Sequence, residues 1–375
     1  MKYDIAVFIG RFQLMHNGHK HIIEEALKQA KNVIIIVGSA RRPRDIINPF
    51  TFEERKQMIM DTFSEYTDRI LIKPSEDIEY NDTLWIESVQ HTVIDAIKEI
   101  NTDNSTHRPK QHIALIGHEK DNTSFYLKMF PAWAEIKVDN FQNLSSTPLR
   151  NKYFSNIGDL WVVNADGHRD GDKEIEHIIP TPVRNFLMKF IKTPEYKYIC
   201  DEYHTVCDIK SKWTVTTADG RVFPPYPISF NTVDAVIIQS GSVLMVKRKH
   251  YPGKGLWALP GGYIDAENET LEQSMLRELK EETNIKVPVP VLRGSIVTSK
   301  TFDAVRRSSR GRIITTAFLI KLRDEPNFPK TKTKNAEVFG GDDAAEAKWI
   351  PLAELNPEVI FEDHYSIISY FKAFI

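Results

Sequence analysis

Three groups of side chains in this sequence have the types and spacing that phosphate chemistry needs. The first lies in residues 10–19, GRFQLMHNGH, where Gly10, Arg11 and Phe12 leave an apolar run and His16, Gly18 and His19 enter a helical pattern. A helix start offers unpaired N–H groups and partial positive charge, Gly18 lets backbone approach an anion, and histidines three apart can point at one oxygen cluster. The second is residues 145–150, SSTPLR, with hydroxyls on Ser146 and Thr147, a proline suited to a first helical turn, and Arg150 on that helix. It makes another oxyanion-binding helix start. The third is Glu278, Glu281 and Glu282, at i, i+3 and i+4 of a helical pattern. Like charges this close repel, and they ask for a divalent cation with oxygen ligands, as metal-assisted attack on a diphosphate uses. The plain alternatives are a surface loop for the histidines and a solvated acidic face for the glutamates.

The elements that must position the first two groups alternate in type. Residues 5–9 read as a buried strand, and Ile22, Ile23, Ala26, Leu27 and Ala30 recur with helical spacing. Strands are predicted at 33–37, 70–72, 112–116 and 136–138, with helices at about 84–100 and 122–129. Thr51 followed by Glu54 is a capping box opening a helix to about Phe63. Such alternation implies an α/β fold with a parallel sheet covered on both faces, its ligands at the carboxyl ends of the strands. The loop with His16, the loop after Val37 and residues 117–121, led by Gly117, should open on that edge. Arg41, Arg42 and Arg44 form either a solvated loop or a source for one arginine that reaches a phosphate. Residues 164–173 read as a surface loop, and a helix over 182–198 should be the last cover of this half. The domain boundary is expected between 200 and 210, dividing 1–200 from 205–375.

For the glutamates, strands at 232–238 and 242–248 should form a hairpin through Gln239, Ser240 and Gly241. Thr270 and Gln273 make a second capping box, opening a helix to Thr283 with Met275, Leu276 and Leu279 on one side and the glutamates adjoining. Arg306, Arg307, Arg310 and Arg312 precede a strand at 313–320; a basic loop beside a metal site suits a diphosphate, and a disordered loop is the alternative. Residues 337–346 form an acidic, glycine-containing loop before a closing strand, and the last helix starts near Asp363.

At 375 residues two domains are expected, and a net charge of −2 gives no general attraction to nucleic acid or membrane. Cys200 and Cys207 lack metal-type or redox-type spacing, which points to a reducing cytosol rather than a disulfide scaffold. No apolar run approaches a membrane span, and the N-terminus enters the first strand directly, so a cytoplasmic protein without a signal peptide is expected. His168, His177 and His204 have no ligand-like spacing. The sequence leaves open whether the protein is a homo-oligomer.

The HxGH of residues 16–19 and the SSTPLR of residues 145–150 resemble the signatures of the nucleotidylyltransferase superfamily. With residues 48–55 (NPFTFEER) and 81–85 (NDTLW), residues 1–195 are similar to nicotinamide mononucleotide (NMN) adenylyltransferases of the archaeal type, which implies a Rossmann-like sheet. Leu14 and Met15 stand where relatives usually carry proline and an aromatic, a departure that touches loop stiffness more than chemistry. The resemblance implies attack by the NMN phosphate on the α-phosphorus of ATP, giving NAD and pyrophosphate. His16, His19 and Arg150 would bind the triphosphate, Arg11 and Thr147 would support it, and Mg²⁺ would bridge phosphate oxygens. Gly10, Phe12, Gly117 and Ser146 would line the nucleotide. Trp85 would either stack on the nicotinamide ring or belong to the core of an amphipathic helix.

Residues 261–285 resemble the Nudix box, with REUxEExGU present as RELKEETNI over 277–285, and the likeness extends over roughly 205–375, implying an α+β domain. Asn284 replaces the final glycine, and asparagine tolerates the left-handed conformation that ends a helix. One extra residue separates Gly262 from Glu269. Neither departure removes a metal ligand. The resemblance implies Mg²⁺, or Mn²⁺, on Glu278, Glu281 and Glu282, with Arg310 and Arg312 meeting the diphosphate. The substrate implied is ADP-ribose, the fragment left when NAD loses nicotinamide. Glu337, Asp342, Asp343, Glu346 and the box glutamates all stay open as the base. The alternative readings are a transferase with another acceptor, such as phosphopantetheine or glycerol phosphate, and a Nudix fold that senses nucleotides without turnover. A DNA-binding regulator lacks a basic helix-turn-helix pattern.

Overall fold

The computed structural model describes residues 1–100, 111–117, 127–155, 178–213, 215–216, 222–224, 228–265, 267–323, 338–341 and 343–375. Most of the predicted helix at 122–129, the loop 164–173, His168, His177, Glu337 and Asp342 lie outside them. The chain forms two compact units, Met1–Asp201 and Glu202–Ile375.

The first unit runs β1 (Tyr3–Gly10), α1 (Asn17–Gln29), β2 (Ala30–Val37), α2 (Phe52–Thr62), β3 (Ile70–Pro74), α3 (Asp82–Ile100), β4 (Ile113–Gly117), β5 (Ala134–Lys137), α4 (Ser146–Ser155) and α5 (Thr181–Phe190), and ends within α6 (Pro194–Trp213). The described strands form one parallel sheet in the order β3-β2-β1-β4-β5. Ile5, Val7, Ile9, Ile34, Ile36 and Leu115 pack with Val89, Val93 and Ala96 of α3 on one face. The intervening Ala6, Phe8, Val33 and Ile35 are equally buried, so both faces are covered. Gly10 and Val37 are register partners, and Gly38 N donates to Gly10 O at 2.9 Å. The carboxyl ends of the two strands therefore open side by side. Thr51 and Glu54 close the expected capping box on α2.

The helix predicted over 182–198 is two helices. Pro194 has no N–H to continue the ladder, and the Thr193 hydroxyl instead accepts the Tyr196 N–H at 3.2 Å as a new start. The second of them, α6, runs on through the expected boundary region to Trp213.

In the second unit a two-strand pairing, β6 (Val215–Thr216) with β7 (Val222–Phe223), precedes β8 (Ser229–Gln239), β9 (Ser242–Arg248), β10 (Trp257–Ala258) and β11 (Gly261–Tyr263). Then follow α7 (Leu271–Thr283), α8 (Val289–Gly294), β12 (Ile296–Phe302), β13 (Arg312–Lys321), β14 (Ala344–Pro351) and α9 (His364–Phe371). The mixed sheet runs β10-β9-β8-β13-β12, with β11 also on β8 and β14 also on β9. Ser240 and Gly241, at φ 48° and 69°, make the tight β8–β9 turn. Met275, Leu276 and Leu279 bury one side of α7 against Val233, Ala235, Ile237 and Phe318. Thr270 and Gln273 cap its start, and Asn284 ends it at φ 47°, ψ 30°, the left-handed geometry its type allows. The other side of α7 is left to the glutamates.

Candidate active sites

In the first unit the loop after β1 is built on His16. Its Nδ1 accepts the Gly18 N–H at 3.1 Å, and its own N–H donates to Nδ1 of His19 at 3.3 Å. The pair is a capping box made of imidazoles. Since both Nδ1 atoms accept backbone protons, the neutral rings carry hydrogen on Nε2 and act there as donors. The rings stack at 3.9 Å, and the buried Phe12 ring backs His19 at 4.9 Å. A Cβ on Gly18 would stand 2.9 Å from His16 Nδ1, and one on Gly10 3.0 Å from the Phe12 ring. Both glycines are required by the packing of this loop. Gly117 ends β4, where a Cβ would meet Leu127 at 2.9 Å.

The SSTPLR segment docks on the same loop. Ser146 Oγ donates to Leu14 O at 2.8 Å; Arg150 donates from Nε to Ile46 O at 2.8 Å and from Nη1 to Gln13 O. The structure thus brings the two signatures together, with Arg150 buried, and with Thr147 and Arg11 on the surface. Gln13 in turn clasps the backbone of Phe50 by two bonds of 2.9 and 3.0 Å.

Arg55 lies within the 48–55 motif, but nothing in the sequence marks what it holds. Only 1% exposed, it donates to the carbonyls of Arg11, Gly38, Ser39 and Thr51, fastening together the loops that follow β1 and β2. Burial pulls its pKa down to about 10. The Arg41–Arg44 cluster is spoken for by carboxylates: Arg41 by Glu76, Arg42 by Asp77 and Glu79, and Arg44 by Glu54 through two 2.7 Å bonds.

Trp85 packs on the core of α3, its ring edge-on to Phe130 at 5.9 Å. That is the core placement. Trp85→Ala is therefore expected to cost about 2–3 kcal/mol of stability, less than the roughly 3–5 kcal/mol of a fully buried aromatic because the ring is half-buried, and to move the apparent constants for ATP and NMN equally. Thermal unfolding and steady-state kinetics check it; a selective rise for NMN would restore the stacking role.

In the second unit a cleft of about 340 Å³ holds Glu278, Glu281 and Glu282 on one wall and Arg248, Arg310 and Glu362 on others. Glu282 Oε2 accepts the Gly261 N–H at 2.9 Å; burial, and then the nearby Glu278, push its pKa up to about 8. A Cβ on Gly262 would lie 2.7 Å from the Glu278 carboxylate, so the strand leaves room for that group alone. Arg277 ties Glu269, Glu278 and Glu281 together at 2.8–3.1 Å. Among the described residues no three side chains stand in ion-holding geometry. The donor set is nonetheless that of a hard divalent cation: three carboxylates gathered in a partly dry cleft, one of them burdened by burial and a like charge.

The basic loop divides. Arg310 reaches the cleft, where it meets Glu362 Oε2 at 3.3 Å. Arg307 also borders the cleft, but its guanidinium is buried in a two-bond pair with Asp363 at 2.8 and 2.9 Å. Arg312 does not line the cleft; it donates to Asp303 O and approaches Asp303 Oδ2 at 3.7 Å, held there by the turn before β13. Arg306 is exposed. Of the acidic loop, Asp343 lines the cleft, while Glu346 lies on β14 opposite Lys247.

A histidine that carries no signal in the sequence completes the wall. His364 Nδ1 accepts the Leu259 N–H at 2.8 Å, and its Nε2 lies 4.0 Å from Asp234 Oδ1. Burial holds its pKa below the ordinary value, against the pull of Asp234, Asp363 and Glu362. The unfolded chain takes up this proton near pH 6.5 and the folded one resists it. The contribution is thus whole above about pH 6.5 and is lost as pH falls below it. The expected result is that the melting-temperature gap between wild type and His364→Gln narrows on going from neutral pH toward pH ~5. Taking the difference cancels Glu282, which shifts the opposite way. A gap that widens on acidification would contradict it.

Comparison with known proteins bears on both halves. The cytidylyltransferase-like family model matches residues 7–199, and the NUDIX domain model matches residues 229–371. The nicotinamide/nicotinic acid mononucleotide adenylyltransferase of Acinetobacter baylyi is 36% identical over 54% of this chain and 94% of its own. The ADP-ribose pyrophosphatase of Methanocaldococcus jannaschii is 35% identical over 42% of this chain and 82% of its own. The crystal structure of a bifunctional NMN adenylyltransferase/ADP ribose pyrophosphatase from Francisella tularensis covers 99% of both chains, at a TM-score of 0.81 and 35% identity. This chain belongs to that bifunctional family. Another crystal structure of the Francisella protein, complexed with AMP and a Mn ion, matches at a TM-score of 0.79 and 34% identity. As a member of the bifunctional family the chain carries a Rossmann-like parallel sheet and a mixed NUDIX sheet. Among the described residues no helix is long and apolar enough to cross a membrane.

Proposed function

We propose that the first unit joins NMN to the AMP part of ATP, releasing pyrophosphate and giving NAD, and that the second cleaves ADP-ribose to AMP and ribose 5-phosphate. The observation that carries the first half is the docking of the SSTPLR helix on the imidazole-capped loop. It gathers two helix starts and the Nε2–H donors of His16 and His19 where phosphate oxygens would sit. The chemistry needs no protein nucleophile. The NMN phosphate oxygen attacks the α-phosphorus as the bond to the bridging oxygen of pyrophosphate breaks, and the chain's part is to hold the groups in line and meet the developing charge. His16 and His19 donate to the triphosphate, Arg11 and Thr147 flank it from the surface, and Arg150 keeps the loop in shape while adding its charge. Gly10, Phe12, Gly117 and Ser146 shape this edge of the sheet.

In the second unit Glu278, Glu281 and Glu282 would hold Mg²⁺ or Mn²⁺, which polarises a diphosphate oxygen and activates water. The chain's own residues do the rest: Gly261 N–H orients Glu282, Arg277 ties Glu278 and Glu281 together and offsets their like charge, and Arg248 and Arg310 meet the diphosphate. The complete acidic row and relatives over both halves support this reading over a silent sensor or another acceptor. Two free cysteines support a reducing, cytoplasmic setting. The test is product analysis with Mg²⁺ and, in parallel, ATP plus NMN, ATP plus phosphopantetheine, and ADP-ribose. No NAD from the first, or faster reaction in the second, would overturn the transferase assignment.

A further inference from the structure

Glu202, the first residue of the second unit, is only 1% exposed, and its Oε1 accepts the Gly253 N–H at 2.8 Å. A buried carboxylate seated on a backbone N–H is a strong, charge-assisted anchor. What it anchors is the turn of residues 251–255. Gly253 has φ 73°, and a Cβ there would stand 2.2 Å from the Phe361 ring, so the turn presses its bare Cα against that ring. The neighbouring Pro252 O accepts a bond from Arg248 Nε at 2.9 Å, and the Arg248 guanidinium lies over the Phe361 ring at 4.1 Å. Arg248 also grips the far end of the turn: its O accepts the Gly255 N–H at 2.9 Å, and its N–H donates to Leu256 O at 3.0 Å. Both Arg248 and Phe361 line the cleft.

Arg248 is thus a cation kept in a largely buried position, its pKa lowered by burial and by Arg310, with its direction set by one carbonyl and one ring. Each of these two guides is itself placed by the turn, and the turn is pinned by Glu202. We infer that Glu202 is a positioning residue for the NUDIX cleft, fixing through the 251–255 turn the direction in which Arg248 meets a diphosphate. The inference rests on the proposed ADP-ribose cleavage. It assigns Glu202 no contact with substrate, and it separates the arginine's aim from the carboxylate row.

The experiment compares Glu202→Ala and Glu202→Gln in the full chain. Glutamine keeps an oxygen that can accept the Gly253 N–H; alanine does not. Glu202→Ala should raise KM for ADP-ribose about tenfold, the scale of one charge-assisted hydrogen bond, with kcat little changed. Glu202→Gln should restore KM to near the wild-type value. A residue that merely supports the fold would lower the melting temperature and the active fraction, hence kcat, and leave KM alone. That outcome, or equal KM values in all three proteins, overturns the inference. If Glu202→Ala does not fold, judged by lost adenylyl transfer and circular dichroism, Glu202→Asp is measured by the same criteria. If the wild type fails to cleave ADP-ribose, that reading falls by itself. The same comparison is then made by calorimetric binding of inorganic pyrophosphate, where alanine must weaken binding by the same factor and glutamine must not.

Discussion

His19→Ala is expected to reduce adenylyl transfer at least about a hundredfold, the scale of removing one well-placed donor to transition-state charge, while ADP-ribose cleavage stays near wild type. The structure supplies a sharper companion. His19 has two tasks, since its Nδ1 accepts the His16 N–H at 3.3 Å while its Nε2–H is proposed to meet phosphate. Alanine removes both. Glutamine is a preferred residue at this third helical position because its side-chain oxygen reaches back to the cap. His19→Gln should keep the capping box, and so the loop, yet its amide N–H, on a flexible chain rather than on a ring stacked against His16, should not stand where the His19 Nε2–H does. Capping alone is worth about 0.5–2 kcal/mol of stability, whereas the activity loss should be the same in both variants. Rates with saturating ATP and NMN, set beside melting temperatures, separate the two tasks. If His19→Gln retained transfer while His19→Ala lost it, the imidazole ring itself would not be required, and if both retained it His19 would have no part in the reaction. If either folded variant lost ADP-ribose cleavage, the two sites would not be independent.

What the sequence made legible was local. Capping boxes at Thr51 and Thr270, the left-handed Asn284, and the strand-to-helix alternation all rest on neighbours within four or five residues, and the structure has each of them. The glutamates on one side of α7 could be read for the same reason. What could not be read depends on partners far along the chain. Arg55 and Arg306 are the same letter, yet one is buried on four carbonyls and the other is exposed. Within a single basic loop Arg307 turns inward to Asp363, Arg310 to the cleft, and Arg312 to Asp303. Their spacing carries no trace of that division, because it is set by where Glu362 and Asp363 arrive some fifty residues later. His364 carries no signal in the sequence for a related reason: its partners are a backbone N–H at Leu259 and the carboxylate of Asp234. Only the break before α6 had a signal that could have been used, the proline at 194.

Glu282→Gln should lower ADP-ribose cleavage at least about a hundredfold and leave NAD synthesis intact. The lower bound follows from the 10–100-fold cost of disturbing even the groups that support metal ligands. Geometry makes the substitution a clean one. The amide oxygen of glutamine can accept the Gly261 N–H that Glu282 now accepts at 2.9 Å, so the strand-to-helix contact survives. Burial and the nearby Glu278 already burden the carboxylate, pushing its pKa up to about 8. Removing that charge relieves both, and the variant should melt no lower than wild type when no divalent ion is added. With Mg²⁺ present the order should reverse, because an ion that binds only the folded wild-type site stabilises it by mass action. The glutamine site, with a neutral and weaker ligand, gains less. Two measurements decide it: melting temperature with and without Mg²⁺, and product analysis with ADP-ribose, NAD and a nucleoside triphosphate side by side. A variant that still cleaves ADP-ribose while losing the Mg²⁺-dependent rise in melting temperature would show that the ion on this helix supports the fold rather than the reaction. Intact NAD should be a poor substrate, since an enzyme that makes NAD gains nothing from a partner site that destroys it; faster cleavage of NAD or of the triphosphate than of ADP-ribose by the wild type would remove ADP-ribose as the substrate.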